Sequence, residues 1–162
     1  MNKSSVQEVS KFQPAGKVKV VKGSILSPEN AGLRFVLSFT NTLGKTDGNP
    51  LYPVFDKKWK KVKEEAKGWF ATKTGAYKLG ATNTTAVQSD TWVIHMLCQD
   101  DTLKVDATAL TECLKKVAAS AKYEKASVHV SSLLLNLVPE MSQLLNDHLV
   151  KAGVSVLYYE EP

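Results

Sequence analysis

Apolar residues along this chain fall into short runs that alternate with polar, glycine-containing segments. Such runs predict β-strands, here at residues 17–21, 34–39, 84–88, 91–98, 126–131 and 154–159. The runs 34–39 and 91–98 are almost continuously apolar. That pattern is typical of strands buried on both faces of a sheet that helices cover.

Three further segments repeat their apolar residues every three or four positions and therefore predict helices. They span residues 53–69, residues 106–122, and a stretch that begins near Pro139 and ends at Gly153. The apolar stripe of the first helix comprises Phe55, Trp59, Val62, Ala66 and Trp69. Asp106 is placed to cap the second helix, whereas SLLLNLV, residues 132–138, fits no single element.

The order of these elements predicts the fold class. In the second half of the chain, strand, helix, strand, helix and strand follow one another. This alternation favours an α/β protein, a three-layer α/β/α sandwich with a mixed central sheet. We find no internal repeat and no linker, so we expect a single domain over residues 17–162 that follows a flexible polar tail, residues 1–16.

Length and composition narrow the class of protein. The chain has 162 residues, enough for one domain with a full core. No apolar stretch approaches the roughly 20 residues that span a bilayer, and residues 1–17 hold no apolar signal core. We expect no membrane contact and a cytoplasmic location, or a nuclear one in a eukaryotic host.

Cys98 and Cys113 have no metal-ligand spacing, so we expect two buried thiols, no metal and no cofactor.

Positive charge is concentrated in one segment. The formal net charge is +5, and DKKWKKVKEEAK, residues 56–67, supplies much of the excess. One interpretation is the ordinary charged outer face of an amphipathic helix. The other is a contact of the lysine-rich helix 57–67 with nucleic acid or another anionic polymer, with salt-dependent affinity. The sequence leaves both open.

Two loops are placed where such sheets bind ligands, beyond the carboxyl ends of their strands. They are residues 40–52 and 131–139, and each leads toward a helix N-terminus, which suits phosphate. In the first loop Asn41 offers a donor and an acceptor for a sugar hydroxyl, and Gly44 and Gly48 permit tight turns. The alternative is a surface loop with ordinary turn residues.

Candidate catalytic groups are few. Asp47 is the one carboxylate near the first loop that could activate a water molecule. His95 and His129 lie within apolar strands, where packed, hydrogen-bonded histidines are expected. No Ser–His–Asp or Cys–His set can be assembled from the sequence.

Several segments together resemble the macro domain, the ADP-ribose-binding α/β/α family. VLSFTN, residues 36–41, is similar to the strand that ends in an asparagine, and LGKTDGNPLY stands where the family has a glycine-rich loop. Residues 79–100, 109–130 and 148–159 resemble the strand pair, a helix with its following strand, and the closing helix and strand. The order and spacing of these pieces carry the resemblance.

The resemblance implies a set of ligand-binding residues. Asn41 matches the asparagine near the distal ribose, which in the family's hydrolases helps to position substrate. It is thus a candidate catalytic residue beside Asp47, which is proposed from its position in the loop alone. The implied contacts are Gly23, Ser24, Ile25, Asn41, Thr42, Gly44, Gly48, Ser131 and Ser132. Ser24 stands where the family often has an acidic residue, and SSLLLNLV replaces a glycine-rich second loop.

Three functions follow as hypotheses. The first is a module that binds ADP-ribose or a related nucleotide, free or attached to protein, in a partly degenerate pocket. The second is a hydrolase that removes ADP-ribose or its terminal phosphate. The third is a non-catalytic interaction or structural protein that keeps the fold without the pocket and contacts a protein partner at residues 133–138.

Overall fold

A six-stranded sheet forms the centre of the molecule in the computed structural model, which describes residues 17–162. The strands are β1 (Val18–Lys22), β2 (Arg34–Asn41), β3 (Thr82–Gln88), β4 (Thr91–Gln99), β5 (Ser127–Ser131) and β6 (Val156–Glu160). Their order is β1-β6-β5-β2-β4-β3, and every neighbouring pair is parallel except β3–β4. The predicted mixed sheet is confirmed, and the predicted tail, residues 1–16, lies outside the described residues.

Helices lie between the strands. They are α1 (Leu51–Phe55), α2 (Lys61–Ala71), α3 (Ala107–Glu124), α4 (Ser132–Leu135) and α5 (Met141–Leu145), which continues into a π-helix at Asn146–Val150. The side chain of Asp106 accepts a hydrogen bond from the Ala109 N–H at 2.8 Å and caps α3, as predicted. The segment 132–138 begins as the helical turn α4.

The prediction of one continuous helix over residues 53–69 is wrong. Two helices, α1 and α2, are separated by turns at residues 56–60. Around Phe55 the backbone forms turns with hydrogen bonds between residues three positions apart. One of them joins the Lys58 N–H to the Phe55 carbonyl at 3.0 Å. Trp59 packs against Phe55 across these turns, with ring centroids 6.1 Å apart, and both rings are buried. Trp69 is half-buried and contacts Tyr77.

The helices flank the sheet in two groups. α1 packs against α2, which contacts β3, while α3 packs against β4, α5 and the π-helix. β5 is buried along its whole length, and β2 is buried at every position after Arg34. Because side chains of a strand alternate between its two faces, burial of both faces requires cover on both sides. The three-layer α/β/α architecture is therefore confirmed. Within residues 17–162, no helix is long and apolar enough to cross a membrane.

Both strand histidines are packed and hydrogen-bonded, as expected. His95 Nε2 lies 2.8 Å from Thr85 Oγ1. His129 lies between Ser127 Oγ and the Tyr159 hydroxyl, at 2.7 Å and 2.8 Å. Burial lowers the pKa of His95 to about 4. Burial, together with the charge of Arg34, lowers the pKa of His129 to about 3.

These pKa values predict that acid destabilises the fold. Unfolded histidine has a pKa of about 6.5, so below that pH the unfolded chain binds protons that the folded chain does not. The stabilisation is complete above pH 6.5 and is lost as the pH falls toward 4. Between pH 8 and pH 5 the free energy of unfolding should fall by about 2 kcal/mol for each histidine. Urea denaturation across this range measures the change.

Replacement of one histidine measures how much that residue contributes to the pH dependence of the unfolding free energy. His129→Gln keeps a polar side chain without a titrating ring, so the difference in unfolding free energy between pH 8 and pH 5 should shrink by about 2 kcal/mol. An unchanged difference in the variant would contradict burial of a neutral His129.

Candidate functional site

The carboxyl ends of the parallel strands meet at one edge of the sheet, here called the carboxyl edge. The segments that follow β1, β2, β5 and β6 all begin there. Every sequence-predicted contact residue lies in one of these segments or at the end of its strand. At this edge a cleft of about 480 Å³ is lined by Ser24, Leu26, Ser27, Val54, Lys57, Lys58, Leu133, Glu161 and Pro162. Ser24 is thus the one predicted contact that lines the cleft.

Asn41 organises the loop that follows β2. Its Nδ2 donates to the Lys45 carbonyl at 2.8 Å, and its Oδ1 accepts from the N–H groups of Leu43 and Lys45 at 3.1 Å and 3.0 Å. The side chain is buried, at 2% exposure. The Tyr77 hydroxyl donates to the Asn41 carbonyl at 2.7 Å, and burial raises the pKa of Tyr77, which keeps this donor protonated. The loop is therefore closed by its own contacts, and the ribose contact of Asn41 stays a prediction.

Gly44 and Gly48 are explained by packing within the protein. Both have positive φ, +67° and +85°, a conformation that favours glycine. A Cβ at Gly44 would overlap the ring of Phe70, and a Cβ at Gly48 would lie 3.1 Å from Leu103 Cδ1. Phe70 is held in turn by Tyr77, with ring centroids 5.3 Å apart. Thr42 and the exposed Asp47 lie on the same loop; neither is among the residues that line the cleft.

The loop after β5 is a helical turn. Ser131 Oγ accepts from the Leu133 N–H at 3.2 Å and caps α4. Leu134 is fully buried and belongs to the core, whereas Leu133 is half-buried and lines the cleft. Ser132 Oγ accepts from the Glu161 N–H at 3.1 Å, which ties this turn to the end of β6. The hydroxyls of Ser131 and Ser132, which were both predicted to contact a ligand, are thus bonded within the protein.

Glu161 was not predicted from the sequence. Its Oε1 accepts from the Ile25 N–H at 2.7 Å, at the point where the chain leaves β1. Ile25 is fully buried, and Ser24 Oγ accepts from the Leu26 N–H at 3.1 Å. The carboxylate of Glu161 therefore satisfies a backbone donor beside the cleft. Its place directly after the last parallel strand was the available signal, because all such positions reach the same edge.

Two lysines give the cleft its positive side. Lys58 Nζ donates to the Leu26 carbonyl at 2.8 Å and lies 5.5 Å from the centroid of the Trp59 ring. Lys57 makes no ion pair within 4 Å to another residue of the range 17–162. The cleft thus combines two ammonium groups and the Glu161 carboxylate with the apolar side chains of Leu26, Val54 and Leu133. Such a lining suits a phosphate joined to a flat or apolar group.

In the described part of the chain, potential metal ligands are not clustered at this cleft. Within residues 17–162 no group of three or more His, Cys, Asp or Glu side chains is arranged to hold a metal ion. Cys98 and Cys113 are both buried and free, and burial raises the pKa of each thiol. The two thiols are therefore protonated at neutral pH.

Comparison with solved structures identifies the fold. A macrodomain protein from Streptomyces coelicolor is 24% identical and superposes with a TM-score of 0.81, over 89% of this chain and 99% of that one. A Bacteroides thetaiotaomicron protein of unknown function is 24% identical, with a TM-score of 0.82 over 91% and 99%. The macrodomain of Thermus aquaticus DarG is 16% identical, with a TM-score of 0.67 over 90% and 99%. The chain therefore has the macrodomain fold.

This fold agrees with the resemblance found in the sequence. At these sequence identities the structural similarity establishes the architecture alone. What the cleft binds has to be argued from the residues that line it. No family model and no curated protein matches the chain.

The packing of Gly44 on Phe70 can be tested by substitution. Gly44→Ala places a side chain in a left-handed conformation and against the ring, so it should destabilise the protein by at least about 2 kcal/mol. A Cβ at Gly68, inside α2, would meet no atom within 4 Å, and the backbone there has an ordinary φ. Gly68→Ala should stabilise the protein by about 0.5–1 kcal/mol. Chemical denaturation measures both.

A double variant separates the two causes at Gly44. In a Phe70→Ala background the overlap disappears while the backbone conformation stays, so the cost of Gly44→Ala should fall. The same cost in both backgrounds would show that Phe70 does not constrain this loop.

Proposed function

We propose that the protein is a binding module for ADP-ribose or a related nucleotide, free or attached to a protein. The observation that carries this proposal is the cleft of about 480 Å³ at the carboxyl edge. Its size falls within the usual range for small-molecule sites, and its position is the one where open α/β sheets bind ligands. The macrodomain fold supports the same class of ligand.

Different residues of the cleft would contact different parts of the ligand. Lys57 and Lys58 would contact phosphate oxygens, since ammonium groups are strong donors to anions. Leu26, Val54 and Leu133 would lie against the base or a sugar. Ser24 would offer its hydroxyl, which is already oriented by the Leu26 N–H.

We propose binding without turnover. Asn41 has its amide oxygen and nitrogen bonded to the loop backbone, so it has little capacity left to position a substrate. Asp47 is exposed and is not among the residues that line the cleft. The hydrolase hypothesis would need the 42–48 loop to rearrange and release Asn41, which would cost several hydrogen bonds.

A second candidate is an interaction protein. It is favoured by the loop after β5, where a helical turn with buried Leu134 stands in place of an open glycine loop. Leu137 is 37% exposed and Leu133 half-buried, so residues 133–138 would supply an apolar contact for a protein partner. This candidate predicts no nucleotide affinity.

Calorimetry with ADP-ribose tests the proposal. We expect measurable binding, and we expect Lys57→Ala/Lys58→Ala to weaken it about tenfold to a hundredfold, because each charge-assisted contact contributes about 1.5–3 kcal/mol and the two are not additive. The control variant Lys115→Ala/Lys122→Ala removes the same charge from the exposed side of α3 and should bind like the wild type.

Titrations with AMP and ribose 5-phosphate then show which half of the ligand the cleft holds. No heat with ADP-ribose at millimolar concentration would reject the binding module and leave the interaction protein. Release of free ADP-ribose from a modified protein, abolished by Asn41→Ala at unchanged stability, would establish the hydrolase instead.

A further inference from the structure

A second basic surface lies outside the cleft, on the outer side of α2. We propose that this surface, the lysine ridge formed by Lys60, Lys63 and Lys67, binds the phosphate backbone of double-stranded nucleic acid. The three lysines line a shallow groove of about 340 Å³ together with Asp56 and Glu64. This function is independent of the nucleotide cleft.

Helix geometry places the three ammonium groups in one row. Lys60, Lys63 and Lys67 are three and four positions apart, the spacing of neighbours on one helix face. From Lys60 to Lys67 the axis rises about 10 Å. About a third of a turn around α2 from this row, Val62 and Ala66 are buried against the core. Lys60, at the start of α2, and Lys67 are exposed, and Lys63 is partly exposed, so the row lies at the surface.

The charges of the ridge are available for a partner. Lys63 Nζ lies 3.8 Å from Asp56 Oδ2, a long pair between partly exposed side chains, and such pairs contribute little to stability. Lys60 and Lys67 form no ion pair within 4 Å to any residue from 17 to 162. With Lys57 and Lys58 assigned to the cleft, the rest of the segment 56–67 has four lysines against one aspartate and two glutamates, a net charge of +1.

The absence of stacking groups on the ridge favours a duplex over a single strand. Proteins that bind single strands stack bases on exposed aromatic rings. The aromatic residues near the ridge are engaged elsewhere, since Trp59 is buried, Trp69 contacts Tyr77, and Phe70 packs beside Gly44. Lysine contacts to phosphate also carry no sequence information. The ridge should therefore bind duplexes of any sequence.

A membrane surface fits this helix less well. Helices that lie on anionic membranes insert an apolar face among the acyl chains. In α2 that face, with Val62 and Ala66, is already covered by the protein. Only the charged side remains exposed, which suits a polymer of phosphates.

Anisotropy of a fluorescein-labelled 20-base-pair duplex, titrated with the protein from 25 to 200 mM NaCl, tests the proposal. Three neutralised phosphates predict a slope of about −3 in log affinity against log salt. Lys60→Gln/Lys63→Gln/Lys67→Gln should weaken binding at least tenfold at 50 mM NaCl and remove most of this slope.

The control is Lys104→Gln/Lys115→Gln/Lys122→Gln, which lowers the net charge equally at three exposed lysines elsewhere. It should retain most of the affinity. Equal losses in the two triple variants, or binding that does not depend on salt, would overturn the proposal, as would binding to phosphatidylserine vesicles without binding to the duplex. Calorimetry of the ridge variant with ADP-ribose reports on the cleft separately, so the two functions can fail independently.

Discussion

Burial of β2 at the centre of the sheet is the constraint on which the rest of this structure depends. The strand lies between β5 and β4 and is buried from Phe35 to Asn41. Backbone groups that leave such a strand need partners inside the protein, because water cannot reach them. Asn49 meets this need beside Asn41: its Nδ2 donates to the Phe39 carbonyl at 2.7 Å, and its Oδ1 accepts from the Leu51 N–H at 2.8 Å. Two buried asparagines thus fold the loop between them and start α1.

The same constraint limits what the edge can bind. Three loops at the carboxyl edge are held by side chains of the protein: Asn41 and Ser131 bond within the loops after β2 and β5, and Glu161, after β6, bonds the loop that follows β1. Groups that could have met a ligand are used to close the loops. What remains at this edge is a cleft whose walls are fixed by contacts within the protein, a state that would lower the entropy cost of association. Within residues 17–162, Lys57 is a lining group that forms no ion pair.

Local sequence patterns predicted the architecture well, because the period of apolar residues along a short segment indicates whether it forms a strand or a helix. The strand runs, the Asp106 cap and the buried histidines all follow from neighbours in sequence. Contacts between distant residues were not predictable in this way. The overlap that excludes a side chain at Gly44 comes from Phe70, and the acceptor for the Ile25 N–H comes from Glu161. The sequence could suggest that glycines and a polar strand end form a ligand loop, but only the fold shows that this loop is packed from within.

The break between α1 and α2 decides how the lysines of this segment are distributed over the surface. A continuous helix over residues 53–69 would have distributed its lysines around one cylinder. Instead the turns at residues 56–60 redirect the chain, so that Lys57 and Lys58 line the cleft while Lys60, Lys63 and Lys67 line the outer groove. Phe55 and Trp59 are buried and pack against each other across these turns. One charged segment therefore lines two separate surfaces, and the turns that divide it keep the two sets of lysines from forming a single patch.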